Sequence, residues 1–290
     1  MTTDSTTDST ARASSGKVAV ITGATSGLGE AAALALAKQG HKVLVVGRDA
    51  ARGHAVVKQA KDAGGEAEFL TADLFSLRDV ARLAGEIRKR ADHVDVLVNN
   101  AGGSFNRLEN TRDGFERTFA LNVAAPNALV HALLELLVAS KGRVINIVTG
   151  VPHGAKATLG ELVGPAAKAG LGGYIRAKLA LLTLTRSWQK QYGSRGVTFV
   201  ALHPGIIPGT RFNAEAPAWF RAIGEFVAKL FGLTSSTAQA AERYVRAATQ
   251  PVEPGGFYYE GKLRPAPRLA DDAPFTAALL GALSAPCALS

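Results

Sequence analysis

The chain has 290 residues, 47% of them hydrophobic and 20% charged, with one cysteine and a formal net charge of +9. These figures suit a soluble globular chain large enough to bury a full core, and the lone Cys287 excludes a disulfide framework or a cysteine metal site. The basic residues are dispersed, densest at Arg88-Lys89-Arg90, and no reading motif accompanies them, so nucleic acid is not an expected partner.

Residues 1–16 are rich in Ser, Thr and Ala, with no apolar segment. They read as a disordered tail and not as a secretory signal, which predicts a cytoplasmic protein. No run approaches the ~18 apolar residues of a membrane span. From Val18 the pattern alternates. Val18–Thr22 is a short buried strand, followed by a glycine-rich turn and an alanine-rich helix to Lys38. Strands at Lys42–Val46, Glu66–Thr71, Val94–Asn99, Arg143–Val148 and Val197–Leu202 alternate with helices at Ala50–Ala63, Leu77–Arg90, about Thr111–Ser140 and about Gly173–Tyr192. Ser236-Thr237-Ala238-Gln239 reads as a capping box, and Gly256–Tyr259 as a last short strand. Strands alternating with helices predict a single α/β domain over residues 17–265, a doubly wound parallel sheet of Rossmann type. Residues 266–290 form a tail or a docked helix. In such sheets ligands bind beyond the carboxyl ends of the strands.

Three patterns carry chemistry. Gly23, Gly27 and Gly29 follow a strand and open a helix, where backbone N–H groups can meet a pyrophosphate. The spacing is G-x-x-x-G-x-G, and a hydrolase elbow fails because Ala24, not glycine, lies two residues before Ser26. After the second strand, Gly47 supplies no carboxylate for a ribose, and Arg48 can fork onto a 2′-phosphate, although Asp49 follows at once. Tyr174 and Lys178 lie four apart on a helix, one face, so a phenol and an ammonium can act together, with the lysine charge lowering the phenol's pKa. The six histidines show no zinc spacing, and no metal is expected.

TGATSGLG at residues 22–29, NNAG at 99–102 and YIRAK at 174–178 occur in order. On these motifs the chain resembles the short-chain dehydrogenase/reductase family over roughly residues 17–259. The resemblance implies an NADPH-dependent oxidoreductase interconverting a carbonyl and an alcohol. It implies catalytic roles for Asn122, Thr149, Tyr174 and Lys178: a proton relay, a substrate hydrogen bond, acid/base work, and control of the tyrosine with a grip on the ribose. It implies cofactor contacts from Gly23, Thr25, Ser26, Gly27, Leu28, Gly29, Arg48, Asp73, Leu74, Asn100, Ala101, Gly102, Tyr174, Lys178, Pro204, Gly205, Ile207 and Thr210. Two departures stand out. Thr149 occupies the family's usual serine position, and Thr210 is displaced by one from the threonine expected after Pro-Gly. The 25-residue gap from Thr149 to Tyr174, with Gly256–Tyr259, is similar to the retinol-dehydrogenase-like branch.

Residues 205–233 follow the sixth strand and are rich in aromatics. Phe212, Trp219 and Phe220 are expected to line a lid over a pocket for a hydrophobic carbonyl or alcohol substrate. A homo-oligomer is compatible with the sequence. The rival reading is a non-catalytic NADPH-binding regulator on the same fold. Such proteins tend to lose the active tyrosine or lysine, and both are present here. Within enzymes, a C=C reductase or a dehydratase-like relative stays open.

Overall fold

Apolar, largely β-branched runs form strands wherever helices cover both faces of the sheet, because no position then needs to face water. The computed structural model describes residues 16–151, 153–163, 166–207 and 235–284. In chain order it shows β1 (Val18–Thr22), α1 (Gly27–Lys38), β2 (Lys42–Gly47), α2 (Ala50–Asp62), β3 (Glu66–Thr71), α3 (Leu77–Arg88) and β4 (Val96–Asn99). Next come the long helix α4 (Arg117–Ser140), β5 (Arg143–Ile147), the short α5 (Gly160–Val163), α6 (Gly170–Tyr192) and β6 (Thr198–His203). The chain closes with α7 (Thr237–Thr249), β7 (Phe257–Tyr259), β8 (Lys262–Arg264) and α8 (Ala273–Ser284).

The strands form one sheet in the order β3-β2-β1-β4-β5-β6-β7-β8. All neighbours run parallel except β7 and β8. Alternate residues of each strand feed opposite cores. Val18, Val20, Leu97 and Val144 pack with α3, α4 and α6, whereas Ala19, Ile21, Val98 and Ile145 pack with α1 and α7. This is the doubly wound arrangement expected from the alternation. Strand order reverses between β1 and β4, which opens a crevice at their carboxyl ends.

Several boundaries differ from the sequence pattern for local reasons. Helix α4 begins at Arg117, not near Thr111. Gly114 has a positive φ of 80°, the Thr111 N–H donates to the Phe115 carbonyl at 2.7 Å, and the Glu116 carboxylate caps the Phe119 N–H. Residues 111–115 are therefore a turn. A π-helical segment, Ala120–Ala124, interrupts the regular helix and carries Asn122. Helix α6 starts three residues early, at Gly170. Strand β8 goes unread in the sequence because its turn is Glu260-Gly261, with φ of 50° and 81°, a pair of positive φ values that suits a two-residue hairpin.

The Ser236 capping box forms in full, its hydroxyl accepting from the Gln239 N–H and the Gln239 side chain accepting from the Ser236 N–H. Helix α8 buries Phe275 and Leu279, and Asp271 just before it pairs with Arg186 of α6 at 2.7 Å. Among the described residues, α4 is the one helix long and apolar enough to cross a membrane, with a mean hydropathy of 1.6. Asn122, Asn127, His131 and Glu135 interrupt it, and Leu129, Val130, Leu133 and Leu137 are spent on the core.

Candidate active site

The glycine loop is clamped from below by the first residues after β4. The Thr22 hydroxyl accepts from the backbone N–H of Asn100 and of Ala101, each at 3.0 Å. The Asn100 amide nitrogen donates back to the carbonyls of Thr22, at 2.8 Å, and Gly23, at 3.2 Å. This close approach depends on glycine. A Cβ on Gly23 would lie 2.9 Å from the Ala101 Cα, and one on Gly29 would lie 2.4 Å from the Gly23 carbonyl oxygen. Ser26 caps α1 in extended backbone without a side-chain hydrogen bond to the helix. Asn100 thus serves the expected site by shaping the loop, its amide nitrogen being taken up by backbone carbonyls.

At the end of β2, Gly47 has a further duty: a Cβ there would come 2.4 Å from the Thr25 methyl. Arg48 beside it is exposed and forms no ion pair among the described residues. Asp49 is committed elsewhere. Its carboxylate caps α2 by accepting from the Arg52 N–H and pairs with the Arg52 guanidinium at 2.7 Å. The competing ribose partner that the sequence left open is therefore already engaged. After β3, Asp73 is exposed and its carboxylate accepts from the Phe75 N–H at 3.2 Å. Leu74 is only 8% exposed and belongs to the core.

The third group gathers around Gly102. Tyr174 and Lys178 are both buried on α6, with the lysine Nζ 5.5 Å from the tyrosine ring centroid. That Nζ donates to the Ile147 carbonyl of β5 at 2.7 Å, two residues before Thr149. Asn122 donates through Nδ2 to the carbonyls of Gly103 and Thr118, at 2.9 and 2.8 Å. Its Oδ1 is buried, with no hydrogen-bond partner among the described residues. A Cβ on Gly102 would sit 2.7 Å from that Oδ1 and 3.0 Å from the lysine Nζ. The structure thus brings Gly102, Asn122 and Lys178 together, with Tyr174 one helical turn away and Thr149 at the adjoining strand end.

Burial acts on both ionisable groups. It pushes the Tyr174 phenol above its ordinary value and pulls the Lys178 ammonium down to about 7. In the polypeptide itself desolvation is what acts on the phenol, and it favours the neutral form.

Residues 17–220 match the short chain dehydrogenase family. The chain belongs to that family. It is accordingly an oxidoreductase. A candidate daunorubicin C-13 ketoreductase, DnrU, of Streptomyces sp. (strain C5) is 34% identical, over 93% of this chain and 92% of the relative. Retinol dehydrogenase 13 of Mus musculus is 32% identical, over 87% of this chain and 78% of its own length. The likeness to the retinol-dehydrogenase branch is thus present. Among solved structures, a blue fluorescent protein from a metagenomic library in complex with NADPH has a TM-score of 0.66 and 29% identity, covering 84% of this chain and 95% of that one.

This short-chain dehydrogenase holds its site with residues that no motif flagged. Tyr244 on α7 is fully buried and donates from its hydroxyl to the Asn100 Oδ1 at 2.8 Å. Arg243 beside it donates to the Pro204 carbonyl and to the Ser235 hydroxyl. These bonds fix the turn after β6, where Gly205 has a φ of 102° and a Cβ would meet Ser235 Oγ at 2.6 Å. Ile207 follows as the last described residue before 235. Thr210 and the aromatic trio Phe212, Trp219 and Phe220, with most of the 205–233 lid, lie outside the described residues.

Proposed function

We propose that this short-chain dehydrogenase interconverts a carbonyl and a secondary or primary alcohol of an apolar substrate, using NADP(H). The observation that carries the reading is the convergence of Lys178 Nζ and the unpartnered Asn122 Oδ1 beside Gly102, within one helical turn of Tyr174. The residues present fit a phosphorylated dinucleotide. The loop at Gly23 and Gly29 leaves no room for side chains where it meets Asn100 and Ala101, Gly27 between them holds a positive φ of 61°, and Arg48 offers a cation without an ion pair among the described residues where Asp49 is already engaged. Known relatives of this fold that hold NADPH support the same choice. When bound, the dinucleotide supplies or accepts the hydride.

The chain's own residues then do the rest. Tyr174, its phenol held protonated by burial, hands its proton from Oη to the carbonyl oxygen in reduction and takes it back in oxidation. Lys178 Nζ, when charged, favours the phenolate left behind. Asn122 Oδ1 offers an acceptor on the path by which that proton is replaced. The Thr149 hydroxyl, at the end of β5, hydrogen-bonds the substrate oxygen. The apolar substrate class rests on the aromatic content of residues 205–233 and on a ketoreductase and a retinol dehydrogenase among the relatives. A cytoplasmic location belongs to the same proposal, and cell fractionation checks it.

The test is NADPH oxidation against a panel of ketones and aldehydes of rising apolar size. Wild type should turn over the larger apolar members. Tyr174→Phe should lose that activity by two orders of magnitude or more, the typical worth of a positioned acid, while still binding NADPH. Undiminished turnover by Tyr174→Phe would overturn the reading.

A further inference from the structure

Arg48 is an exposed side chain at a strand end, yet it is not loose. Its guanidinium carbon lies 5.4 Å from the centroid of the Phe75 ring, inside the ~6 Å reach of a cation–π contact. The ring is fixed from several sides. Asp73 accepts the Phe75 N–H and turns the chain at that point. Phe105 meets Phe75 edge-on, with centroids 5.5 Å apart. Arg117, at the start of α4, places its guanidinium 5.4 Å from the Phe75 centroid and 4.5 Å from that of Phe105. It also pairs with Glu109 at 2.8 Å. The loop carrying Phe105 is tied to the start of α6, since the Phe105 carbonyl accepts from the Gly170 N–H at 2.7 Å.

We propose that Phe75 is a positioning residue for cofactor choice: its ring holds the Arg48 guanidinium in place to receive a 2′-phosphate, and so sets the preference for NADPH over NADH. This rests on the role given to Arg48 above. The chemistry favours a ring over an acidic partner in that place. A carboxylate would occupy the donors and cancel the charge. A ring attracts the cation without accepting a conventional hydrogen bond, so the five N–H groups remain for a phosphate. Three nearby carboxylates pair with other arginines, Asp49 with Arg52, Asp79 with Arg82 and Glu109 with Arg117, and Asp73 accepts from the Phe75 N–H. Arg117 already has its own anion, so Arg48 is the guanidinium on this ring left to meet an incoming one. An ordered side chain loses less rotamer freedom on binding than a loose one.

The experiment measures dissociation constants for NADPH and NADH by direct titration, on wild type, Arg48→Ala, Phe75→Leu and the double variant. Phe75→Leu keeps apolar bulk and removes the ring. It should weaken NADPH by roughly two- to five-fold, the worth of an exposed cation–π contact, and leave NADH unchanged. Phe75→Trp should restore NADPH affinity. In the double variant, Phe75→Leu should cost nothing beyond Arg48→Ala, because the two act as one unit. If Phe75→Leu does not fold, Phe75→Met takes its place with the same expectation. Equal loss for both dinucleotides, or no loss for either, would overturn the proposal while leaving the Arg48 role intact. If Arg48→Ala itself leaves the NADPH-to-NADH ratio unchanged, the Arg48 reading fails first and this one falls with it.

Discussion

The Tyr244 hydroxyl and the Asn100 side chain, 144 residues apart, are joined by a hydrogen bond of 2.8 Å. That one bond completes the asparagine, whose other end bridges the carbonyls of Thr22 and Gly23. It links the helix that follows residues 205–233 to the loop expected to cradle phosphates. Tyr244→Phe removes the donor from a part-buried acceptor, at a cost of ~0.5–1.5 kcal/mol. The variant should unfold at lower denaturant concentration and bind NADPH more weakly, with Tyr174 chemistry little changed once cofactor is saturating. Equal stability and equal affinity to wild type would show that the bond does not hold the loop.

Gly102 gives a sharper steric prediction. A methyl there would lie 2.7 Å from Asn122 Oδ1 and 3.0 Å from Lys178 Nζ, both of them buried. Overpacking of this kind costs ~1–3 kcal/mol, and the lysine is the more movable neighbour. Gly102→Ala should therefore fold and lose much of kcat, because the displaced Nζ no longer sits against the Ile147 carbonyl beneath Tyr174. Steady-state rates beside a thermal melt check this. A wild-type kcat would mean that the cluster tolerates displacement.

On the proposed reading, Arg48 separates the two dinucleotides. A guanidinium–phosphate contact is worth ~1.5–3 kcal/mol. Arg48→Ala should thus weaken NADPH by about one to two orders of magnitude and change NADH little. Asp49 cannot easily take the ribose instead, since it holds both the Arg52 N–H and its guanidinium. Matching affinities of the wild type for NADPH and NADH would contradict this.

The strands, their order of appearance and the glycine loop were legible because buried parallel strands announce themselves as apolar runs and tight turns as glycine. Asn122, Tyr174 and Lys178 were nameable as candidates for a similar reason: proton chemistry needs few residue types at fixed spacing. Other features were not legible. Tyr244 and Arg243 act through contacts far apart in sequence, and nothing in SSTAQAAERYVRAA marks their partners. The stack of Arg48 on Phe75 depends on where two loops end up. The late start of α4 hangs on one glycine conformation at Gly114, and strand β8 on positive φ at Glu260, a residue that seldom adopts it. The burial of Tyr174 and Lys178 was not legible either, because burial depth cannot be read from an i, i+4 pair.

Lys178 makes a prediction about stability and pH that stands apart from catalysis. Its ordinary pKa is 10.5, and burial pulls it down to about 7 in the folded chain. Between those values the unfolded chain binds a proton at this site that the folded chain does not. Stability therefore rises with pH across that window, and the contribution is lost as pH falls toward 7. Below about 7 both states are protonated and the contribution stays flat. Tyr174 and Tyr244 act in the opposite sense, but only above the ordinary tyrosine value of 10.0, since burial raises both. Denaturant melts from about pH 7 to 10 should show wild-type stability rising relative to Lys178→Met, whose uncharged side chain has no proton to lose. Methionine also frees the Ile147 carbonyl, which lowers stability by a pH-independent amount, so only the slope of the difference is diagnostic. A difference that stays constant over this range would mean that Lys178 keeps its charge when folded, with enough compensation from Asn122 Oδ1 and the Ile147 carbonyl to offset its burial.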